Sequence, residues 1–188
     1  MSQVFVSGHK SPDTDSIAAA LSYSYLKRRL GMDAVAVRAG EINKESRFAL
    51  DYFNLEEPIL VTSVERKNPE DEKQKVILVD HNESKQTIDG MDDAEVLEII
   101  DHHRFGDFES ENPIFILVRP VGCVNTVIYG LYKTNHIKPS REIAGIMLSA
   151  IISDTVLFRS PTTTEEDKET AKELAEIAGV DYEAYGME

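Results

Sequence analysis

Apolar residues along this chain fall into short continuous runs and into longer stretches in which they recur every three or four positions. Continuous runs are typical of buried strands, and the longer spacing is typical of helices. The runs lie at 4–7, 34–37, 59–61, 76–79, 96–100 and 114–118, and the helical stretches lie at 16–29, 45–53, 124–132, 140–151 and 163–178. Because strands and helices alternate over the first half of the chain, the pattern predicts an α/β fold with a doubly wound sheet.

The first five runs are predicted to form a mainly parallel five-stranded sheet with helices on both faces, since uninterrupted apolar runs suit strands that are covered on both sides. The sixth run, 114–118, lies between Pro113 and Pro120. Proline cannot donate a ladder hydrogen bond, so this run is predicted to be an edge strand or to lie outside the main sheet. An open edge can pair with another subunit, which makes 114–118 a candidate dimer contact.

Helix ends and helix cores are also indicated by the sequence. Gly31 and Gly179 follow predicted last turns, where glycine commonly ends a helix. Ser140 is a predicted N-cap, and Thr163 with Glu166 has capping-box spacing. The helix at 45–53 is predicted to bury Phe48, Leu50, Tyr52 and Phe53.

Composition limits the class of protein. The chain has 188 residues, which suits one domain over 1–188, and no apolar run approaches the roughly 20 residues of a membrane span. A formal net charge of −14 disfavours nucleic-acid binding, which needs a basic surface. The single Cys123 and the lack of an evident secretory signal predict a reducing cytoplasm. The connection 62–75 and the acidic run 165–167 are predicted to be solvated surface.

Candidate chemistry is concentrated where the apolar segments end. Strand 4–7 runs into a loop with a histidine and two aspartates, two other strands end in Asp-His, and the helix ending at 151–152 is followed by an aspartate. The carboxyl ends of parallel strands share one edge of a sheet, so these side chains are predicted to converge on a metal site. The alternative for the first loop is that Thr14 or Asp15 only caps the helix. The residues at these positions are His9, Asp13, Asp15, Asp80, His81, Asp101, His102, His103 and Asp154.

The motifs resemble those of the DHH phosphoesterase superfamily and, more narrowly, of the manganese-dependent (family II) inorganic pyrophosphatases. The resemblance is carried by the segments 8–16 (Gly-His-Lys-Ser-Pro-Asp-Thr-Asp-Ser), 79–83 (Val-Asp-His-Asn-Glu), 101–103 (Asp-His-His), 120–123 (Pro-Val-Gly-Cys) and 153–155 (Ser-Asp-Thr) with 160–162 (Ser-Pro-Thr). Related exonucleases and oligoribonucleases usually have Gly or Ala where this chain has Thr14. Ser11 stands where the pyrophosphatases usually have Asn.

The resemblance implies two Mn²⁺ ions per chain, with Co²⁺ able to substitute, and further Mg²⁺ or Mn²⁺ bound with pyrophosphate. It assigns one ion to His9, Asp13 and Asp80, and the other to Asp15, Asp80, His102 and Asp154. It gives the catalytic roles to His103, which would face the substrate, and to Asp101, which would orient the histidines. Ions about 3.5–4 Å apart can share a water, lower its pKa and so generate the hydroxide that attacks phosphorus. Two imidazoles among four carboxylates suit Mn²⁺ or Co²⁺ better than Mg²⁺.

The resemblance also implies a homodimer and a second, C-terminal lobe that carries the main phosphate-binding cations and that this chain lacks. The isolated core is therefore predicted to hydrolyse pyrophosphate weakly or not at all. Two alternatives remain open, a phosphodiesterase acting on short oligonucleotides or cyclic dinucleotides, and a metal-binding dimerisation module that needs a separate lobe. Cys123 is predicted to be a small buried residue, and His81 and His136 to be structural or surface groups.

Overall fold

The computed structural model of the protein describes residues 3–187, which fold into one parallel sheet and a layer of helices. The strands are β1 (Val4–Ser7), β2 (Ala34–Arg38), β3 (Ile59–Leu60), β4 (Lys75–Val79), β5 (Glu95–Asp101) and β6 (Phe115–Val118). The α-helices are α1 (Thr14–Arg29), α2 (Lys44–Tyr52), α3 (Val124–Thr134), α4 (Arg141–Asp154), α5 (Glu165–Ala178) and α6 (Tyr182–Tyr185), and short 3₁₀ helices span Ser84–Gln86 and Met91–Asp93.

The strand order is β3-β2-β1-β4-β5-β6, and every neighbouring pair is parallel. The chain moves outward from β1 to β3, returns to β4 and moves outward again to β6, which confirms the predicted doubly wound α/β class. The predicted count of five strands is too low, because β6 pairs with β5 from Glu98↔Phe115 to Asp101↔Val118. β6 is an edge strand of the sheet, and Pro113 and Pro120 lie just outside it. The switch point between β1 and β4 is where such sheets bind ligands.

The two faces of the sheet are covered differently. All six α-helices contribute to the larger core, which includes Val6, Ile77 and Val79 from the strands. The opposite face carries a smaller core around Val76, Leu78 and Ile99, covered by loops and by the 3₁₀ helix Met91–Asp93. The prediction of helices on both faces is therefore wrong for this face, which among residues 3–187 has only 3₁₀ helices. The connections at 80–94 and 102–114 are rich in Gly, Asn, Asp and Pro and lack the periodicity of an α-helix.

Helix α2 differs from the predicted burial. Leu50 and Phe53 are in the core, as predicted, whereas Phe48 is 43% exposed and Tyr52 is 45% exposed. A helix of nine residues presents one narrow face to the core, and Leu50 and Phe53, three positions apart, take it. Phe48 and Tyr52, four positions apart, lie on the flank and contact each other, with ring centroids 5.8 Å apart.

Most of the predicted helix ends are correct. Gly31 and Gly179 adopt positive φ values of 92° and 68°, and the Ser140 side chain accepts a hydrogen bond from the Ile143 N–H. The capping box of α5 is one residue later than predicted, formed by Thr164 and Asp167. Two adjacent threonines and two adjacent acidic residues make both registers possible in the sequence. None of the helices in residues 3–187 is long and apolar enough to cross a membrane.

Candidate metal centre

The loop after β1 is held by the first turn of α1. Ser16 Oγ accepts a hydrogen bond from the His9 N–H at 2.9 Å, and Asp13 Oδ1 accepts one from the Ser16 N–H at 2.9 Å. A Cβ on Gly8 would lie 1.8 Å from Ser16 Oγ, so only glycine permits this close approach. The N-cap of α1 is therefore Asp13, and not Thr14 or Asp15. Its other oxygen, Oδ2, is left to face His9 Nε2 at 3.6 Å.

Asp80 lies at the centre of the site, directly after β4. Its carboxylate is 1% exposed, and neither oxygen has a hydrogen-bond partner among the described residues. Oδ2 lies 3.3 Å from His9 Nε2, and Oδ1 lies 3.3 Å from His102 Nε2. Asp80 also adopts a left-handed backbone conformation, with φ of 62°, which is uncommon outside glycine and asparagine. A buried carboxylate with both oxygens aimed at imidazoles and otherwise unpartnered is suited to bind cations.

Asp15 is buried beside Asp80 but is fully hydrogen-bonded. Its oxygens accept from Cys123 Sγ at 2.8 Å, from the Val124 N–H at 2.8 Å and from Asn125 Nδ2 at 2.6 Å. These donors belong to the N-terminus of α3, where the helix dipole favours a negative charge. Asp15 Oδ2 also lies 3.5 Å from His102 Nε2. The end of α3 therefore fixes this carboxylate without blocking its approach to His102.

Asp154 enters the site from the last turn of α4. One of its oxygens lies within 4.8 Å of ligand atoms of Asp15 and Cys123. Thr155 ends the helix, because its hydroxyl donates to the Ile151 carbonyl at 2.5 Å and accepts from the Phe158 N–H at 3.2 Å. The next three residues, 156–158, have φ values of 50°, 50° and 65°, so the chain makes a left-handed turn of non-glycine residues. Backbone strain of this kind commonly accompanies functional sites.

The two consecutive histidines after β5 are oriented by different groups. His102 Nδ1 donates to the Val121 carbonyl at 3.0 Å, which directs Nε2 toward Asp80. His103 Nδ1 donates to Asp101 Oδ1 at 2.8 Å. Asp101 is itself fixed by Asn82, whose Nδ2 donates to Asp101 Oδ2 at 2.6 Å. Asp101 thus contacts the His103 ring and only the backbone N–H of His102.

The pKa values of the buried side chains show how strongly the acidic groups interact in this site. Burial raises the pKa of Asp80, and the nearby Asp15 charge raises it further. The pKa of Asp154 is raised for the same two reasons. Burial alone would lower the pKa of His9, but close contacts and charge interactions with the Asp13 and Asp80 carboxylates outweigh burial and raise it to about 10. Protons thus take the place that divalent cations would fill.

The pKa of His102 is raised by the same kinds of interaction as that of His9. Burial alone would lower the pKa of His102, but the close contact with Asp80 and the charge of Asp15 raise it to about 9. The pKa of His103 is raised chiefly by its hydrogen bond to Asp101. For Asp101, burial would raise the pKa, but hydrogen bonds from His103 and Asn82 lower it below its usual range. Both shifts favour the ionised form of the Asp101–His103 pair.

The ligand atoms around Asp80 are spaced as the ligands of a metal ion are. With metal–ligand bonds of about 2.1 Å, two ligands of one ion lie about 3.0–3.4 Å apart, close to the separations found around Asp80. His9, Asp13 and Asp80 offer ligand atoms that all lie within 4.8 Å of one another. The same holds for the group Asp80, His102 and His103, and for the group Asp15, Cys123 and Asp154.

Two members of these groups are less suitable as ligands. The His103 Nδ1 atom that faces Asp80 at 3.8 Å is already bonded to Asp101. The Cys123 thiol is held in its protonated form, because burial and the nearby carboxylates of Asp15 and Asp154 raise its pKa well above the usual value. The residues that remain in the three groups are His9, Asp13, Asp15, Asp80, His102 and Asp154, and their role as ligands stays a prediction.

A cavity of about 310 Å³ opens beside Asp80 and is lined by His9, His81, His103 and Arg104. His81 is buried, its Nδ1 donates to the Val79 carbonyl at 2.9 Å, and burial lowers its pKa to about 4. His81 is therefore a neutral structural group, as predicted. A larger cavity of about 790 Å³ lies over the loops at 84–97 and 107–114 and contains none of the predicted ligands.

Sequence reasoning missed the residues that hold the ligands in place. Asn125 and Val124 fix Asp15 from 110 and 109 residues away, and Asn82 fixes Asp101. Asn82 could have been found from its place in the segment 79–83. Asn125 gave no such signal, because an asparagine in the first turn of a helix is ordinary.

Comparison with known proteins agrees with this geometry. Residues 3–151 match the model of the DHH family, N-terminal domain. The chain is 53% identical over 188 residues to proteins of Exiguobacterium sp. and Bacillus licheniformis, each named "Probable manganese-dependent inorganic pyrophosphatase". The match covers all of this chain but only 59% of the length of each of these curated relatives.

Solved structures of other proteins also resemble this chain. A putative family II inorganic pyrophosphatase of Methanococcus jannaschii superposes with a TM-score of 0.88 at 43% identity, over 98% of this chain and 60% of that one. An exopolyphosphatase-related protein of Bacteroides fragilis has a TM-score of 0.69 at 19% identity, over 97% of this chain and 54% of that one, and so shares the fold. The resemblance seen in the sequence is confirmed, and the chain belongs to the DHH family through its N-terminal domain.

Proposed function

We propose that this chain is the metal-binding catalytic core of a manganese-dependent inorganic pyrophosphatase, which hydrolyses pyrophosphate to two phosphates. The observation that carries the proposal is the buried Asp80 carboxylate between His9 Nε2 and His102 Nε2, with no hydrogen-bond partner on either oxygen. The names of the relatives support the choice of metal and substrate. We treat residues 1–188 as one core domain, and the reducing cytoplasm indicated by Cys123 stays a prediction.

Asp80 would bridge two Mn²⁺ ions, one held also by His9 and Asp13 and the other by three residues from distant parts of the chain, Asp15, His102 and Asp154. Ions held by these residues would supply a water of lowered pKa and would neutralise charge on the phosphoryl oxygens.

His103 lies at the rim of the cavity beside the site, with its side chain 53% exposed. Asp101 orients its ring and raises its pKa, which favours the protonated imidazole. With Nδ1 bonded to Asp101, Nε2 is left to donate to a phosphate oxygen. We assign His103 to substrate binding and proton donation, and Asp101 to orientation of His103.

The isolated core is proposed to be a poor catalyst, because its local cations are already paired. Lys10 Nζ lies 2.5 Å from Asp89 Oδ1, and an Arg104 guanidinium nitrogen lies 3.2 Å from Glu83 Oε1. Four ligand aspartates balance two divalent ions, so little net positive charge is left for pyrophosphate. Further Mg²⁺ or Mn²⁺ bound with the substrate, or cations from another lobe, would be needed for rapid turnover.

The experiment is calorimetric titration of the metal-free chain with Mn²⁺, followed by a phosphate-release assay with pyrophosphate and with a dinucleotide. We expect two ions per chain and slow release from pyrophosphate only, with Co²⁺ replacing Mn²⁺ in the titration. Asp80→Asn should weaken both binding events, whereas Glu165→Gln, a surface change, should weaken neither. Failure to bind Mn²⁺ contradicts the proposal, and cleavage of the dinucleotide supports a phosphodiesterase instead.

We also propose that two chains associate through β6. This edge strand exposes Phe115 (49%) and Ile116 (42%), and one row of its backbone groups has no neighbouring strand within residues 3–187. A second copy of the chain would cover the exposed side chains and pair with these backbone groups. Light scattering at micromolar concentration should give the dimer mass for the native chain and the monomer mass for Ile116→Lys. A native monomer contradicts this assignment.

A further inference from the structure

Asp167 is a buried carboxylate outside the metal centre. It was predicted to be solvated with the rest of 165–167, yet it is 0% exposed. Oδ2 accepts hydrogen bonds from the Gly122 N–H at 2.9 Å, the Thr164 N–H at 2.7 Å and the Thr164 hydroxyl at 2.7 Å. Oδ1 accepts one from the Thr126 hydroxyl at 2.6 Å. Capping α5 requires only the bonds to Thr164, so those to Gly122 and Thr126 need another explanation.

The two remaining bonds hold both ends of the segment 122–126. Inside this segment, Cys123, Val124 and Asn125 donate to Asp15. Directly before it, the Val121 carbonyl accepts from His102 Nδ1 at 3.0 Å. One short stretch of backbone therefore orients two of the proposed ligands of the second ion, and Asp167 anchors that stretch on either side.

The Asp167 carboxylate packs closely against Gly122. A Cβ at position 122 would lie 2.8 Å from Asp167 Oδ2 and 2.9 Å from Thr155 Cγ2. Thr155 follows Asp154, the third carboxylate of the second ion, and ends α4. Asp167 thus packs where the segments carrying Asp15, His102 and Asp154 meet, and glycine is needed for the approach.

We propose that Asp167 is a positioning residue for the second ion, acting through the segment 122–126 on Asp15 and His102. It does not touch the ion. Hydrogen-bond partners behind metal ligands commonly change metal affinity by about 10–100-fold when they are removed. The inference rests on the proposed two-ion site and adds a residue that the motifs do not include.

Three variants separate the parts of this role. Asp167→Ala removes all four bonds, and Thr126→Val removes one bond with little change of shape. Asp167→Asn keeps one oxygen for the Gly122 N–H and presents an amide that can donate to the Thr126 hydroxyl, so it should restore most of the function. Thr164→Ala is the structural control, because it weakens the cap of α5 without touching the segment 122–126.

The test measures Mn²⁺ affinity in two backgrounds, each with one ion position disabled. Asp13→Asn leaves the second position, and Asp15→Asn leaves the first. In the Asp13→Asn background we expect Asp167→Ala to weaken Mn²⁺ binding about tenfold and Thr126→Val to weaken it about threefold. Neither should change the affinity in the Asp15→Asn background, and Thr164→Ala should lower the melting temperature but neither affinity.

Equal losses of Mn²⁺ affinity at both ion positions would show that Asp167 only stabilises the fold. A fall in melting temperature with unchanged Mn²⁺ affinities would show the same. Either result would overturn the inference. If Asp167→Ala does not fold, Thr126→Val carries the same comparison. A native chain that binds no Mn²⁺ would contradict the proposed function. A native chain that binds two ions, together with Thr126→Val that binds both as tightly, would contradict only this inference.

Discussion

At the scale of single residues, the site contains buried aspartates in opposite situations. Asp15 receives four hydrogen bonds from the start of α3, whereas Asp80 receives none from the described residues. Burying an unpaired charge is costly, so the fold is expected to be incomplete around Asp80 until cations bind. The difference explains why we assign the bridging position to Asp80 and a fixed terminal position to Asp15.

The Asp101–His103 pair gives a prediction at this scale. Since the hydrogen bond to Asp101 is the main cause of the raised His103 pKa, Asp101→Asn should lower that pKa toward 6.5. The pKa can be followed by NMR titration of the metal-free native chain and of the metal-free variant. A His103 pKa unchanged by the substitution would contradict the orienting role of Asp101.

Single residues also show how much of the site could be predicted from the sequence. The candidate ligands were predictable because each follows an apolar strand or helix, and parallel strands bring their ends together. Asp167 was not predictable, because its partner Gly122 lies 45 residues away and its neighbours Glu165 and Glu166 are surface residues. An acidic run in sequence does not show which member turns inward.

At the scale of elements, the helices that carry the ligands pack closely. Gly145 in α4 is covered by Phe53, and a Cβ there would lie 2.2 Å from the ring. This contact joins α2, which follows β2, to the helix that ends at Asp154. The predicted burial of Phe53 was correct for this reason, whereas that of Phe48 and Tyr52 failed because α2 offers only one narrow face.

Two glycines in helix interiors form a matched pair of tests. Gly145→Ala should lower the free energy of unfolding by about 1–3 kcal/mol, because the added methyl group forces Phe53 to move. Gly130→Ala in α3 has no atom within 4 Å of the new Cβ, so it should raise stability by about 0.5–1 kcal/mol through helix propensity. Chemical denaturation measures both, and changes of the same sign would contradict the packing described for α4.

At the scale of the whole molecule, the acidic balance and the metal centre act together. The chain carries a net charge of −14, and four of its aspartates converge with two histidines at one edge of the sheet. Most of the sheet architecture follows from the apolar runs. The covering of the second face by loops could not be predicted, because those loops show no periodicity that assigns them to a surface.

The stability of the whole chain should depend on pH through His9 and His102. Their pKa values in the folded state are about 10 and about 9, against 6.5 for an unperturbed histidine. The folded state therefore binds more protons than the unfolded state above about pH 6.5, and this contribution to stability is lost as the pH rises through about 9 to 10. Below pH 6.5 the contribution is fully present.

Denaturation of the metal-free chain between pH 6.5 and 9 should thus show a falling free energy of unfolding. Mn²⁺ binds the deprotonated imidazoles, so saturating metal should reduce or reverse the fall. The variant His9→Gln/His102→Gln should show a flatter profile without metal. An equal slope in the native chain and in this variant would assign the pH dependence to other groups.

The most direct test of the two-ion centre is a crystal grown with Mn²⁺ and measured by anomalous diffraction at the manganese edge. We expect two peaks flanking Asp80, one near His9 and Asp13 and the other near His102, Asp15 and Asp154. A single peak would contradict the bridging role of Asp80. No peak at this position, in a crystal that contains Mn²⁺ elsewhere, would contradict the metal centre itself.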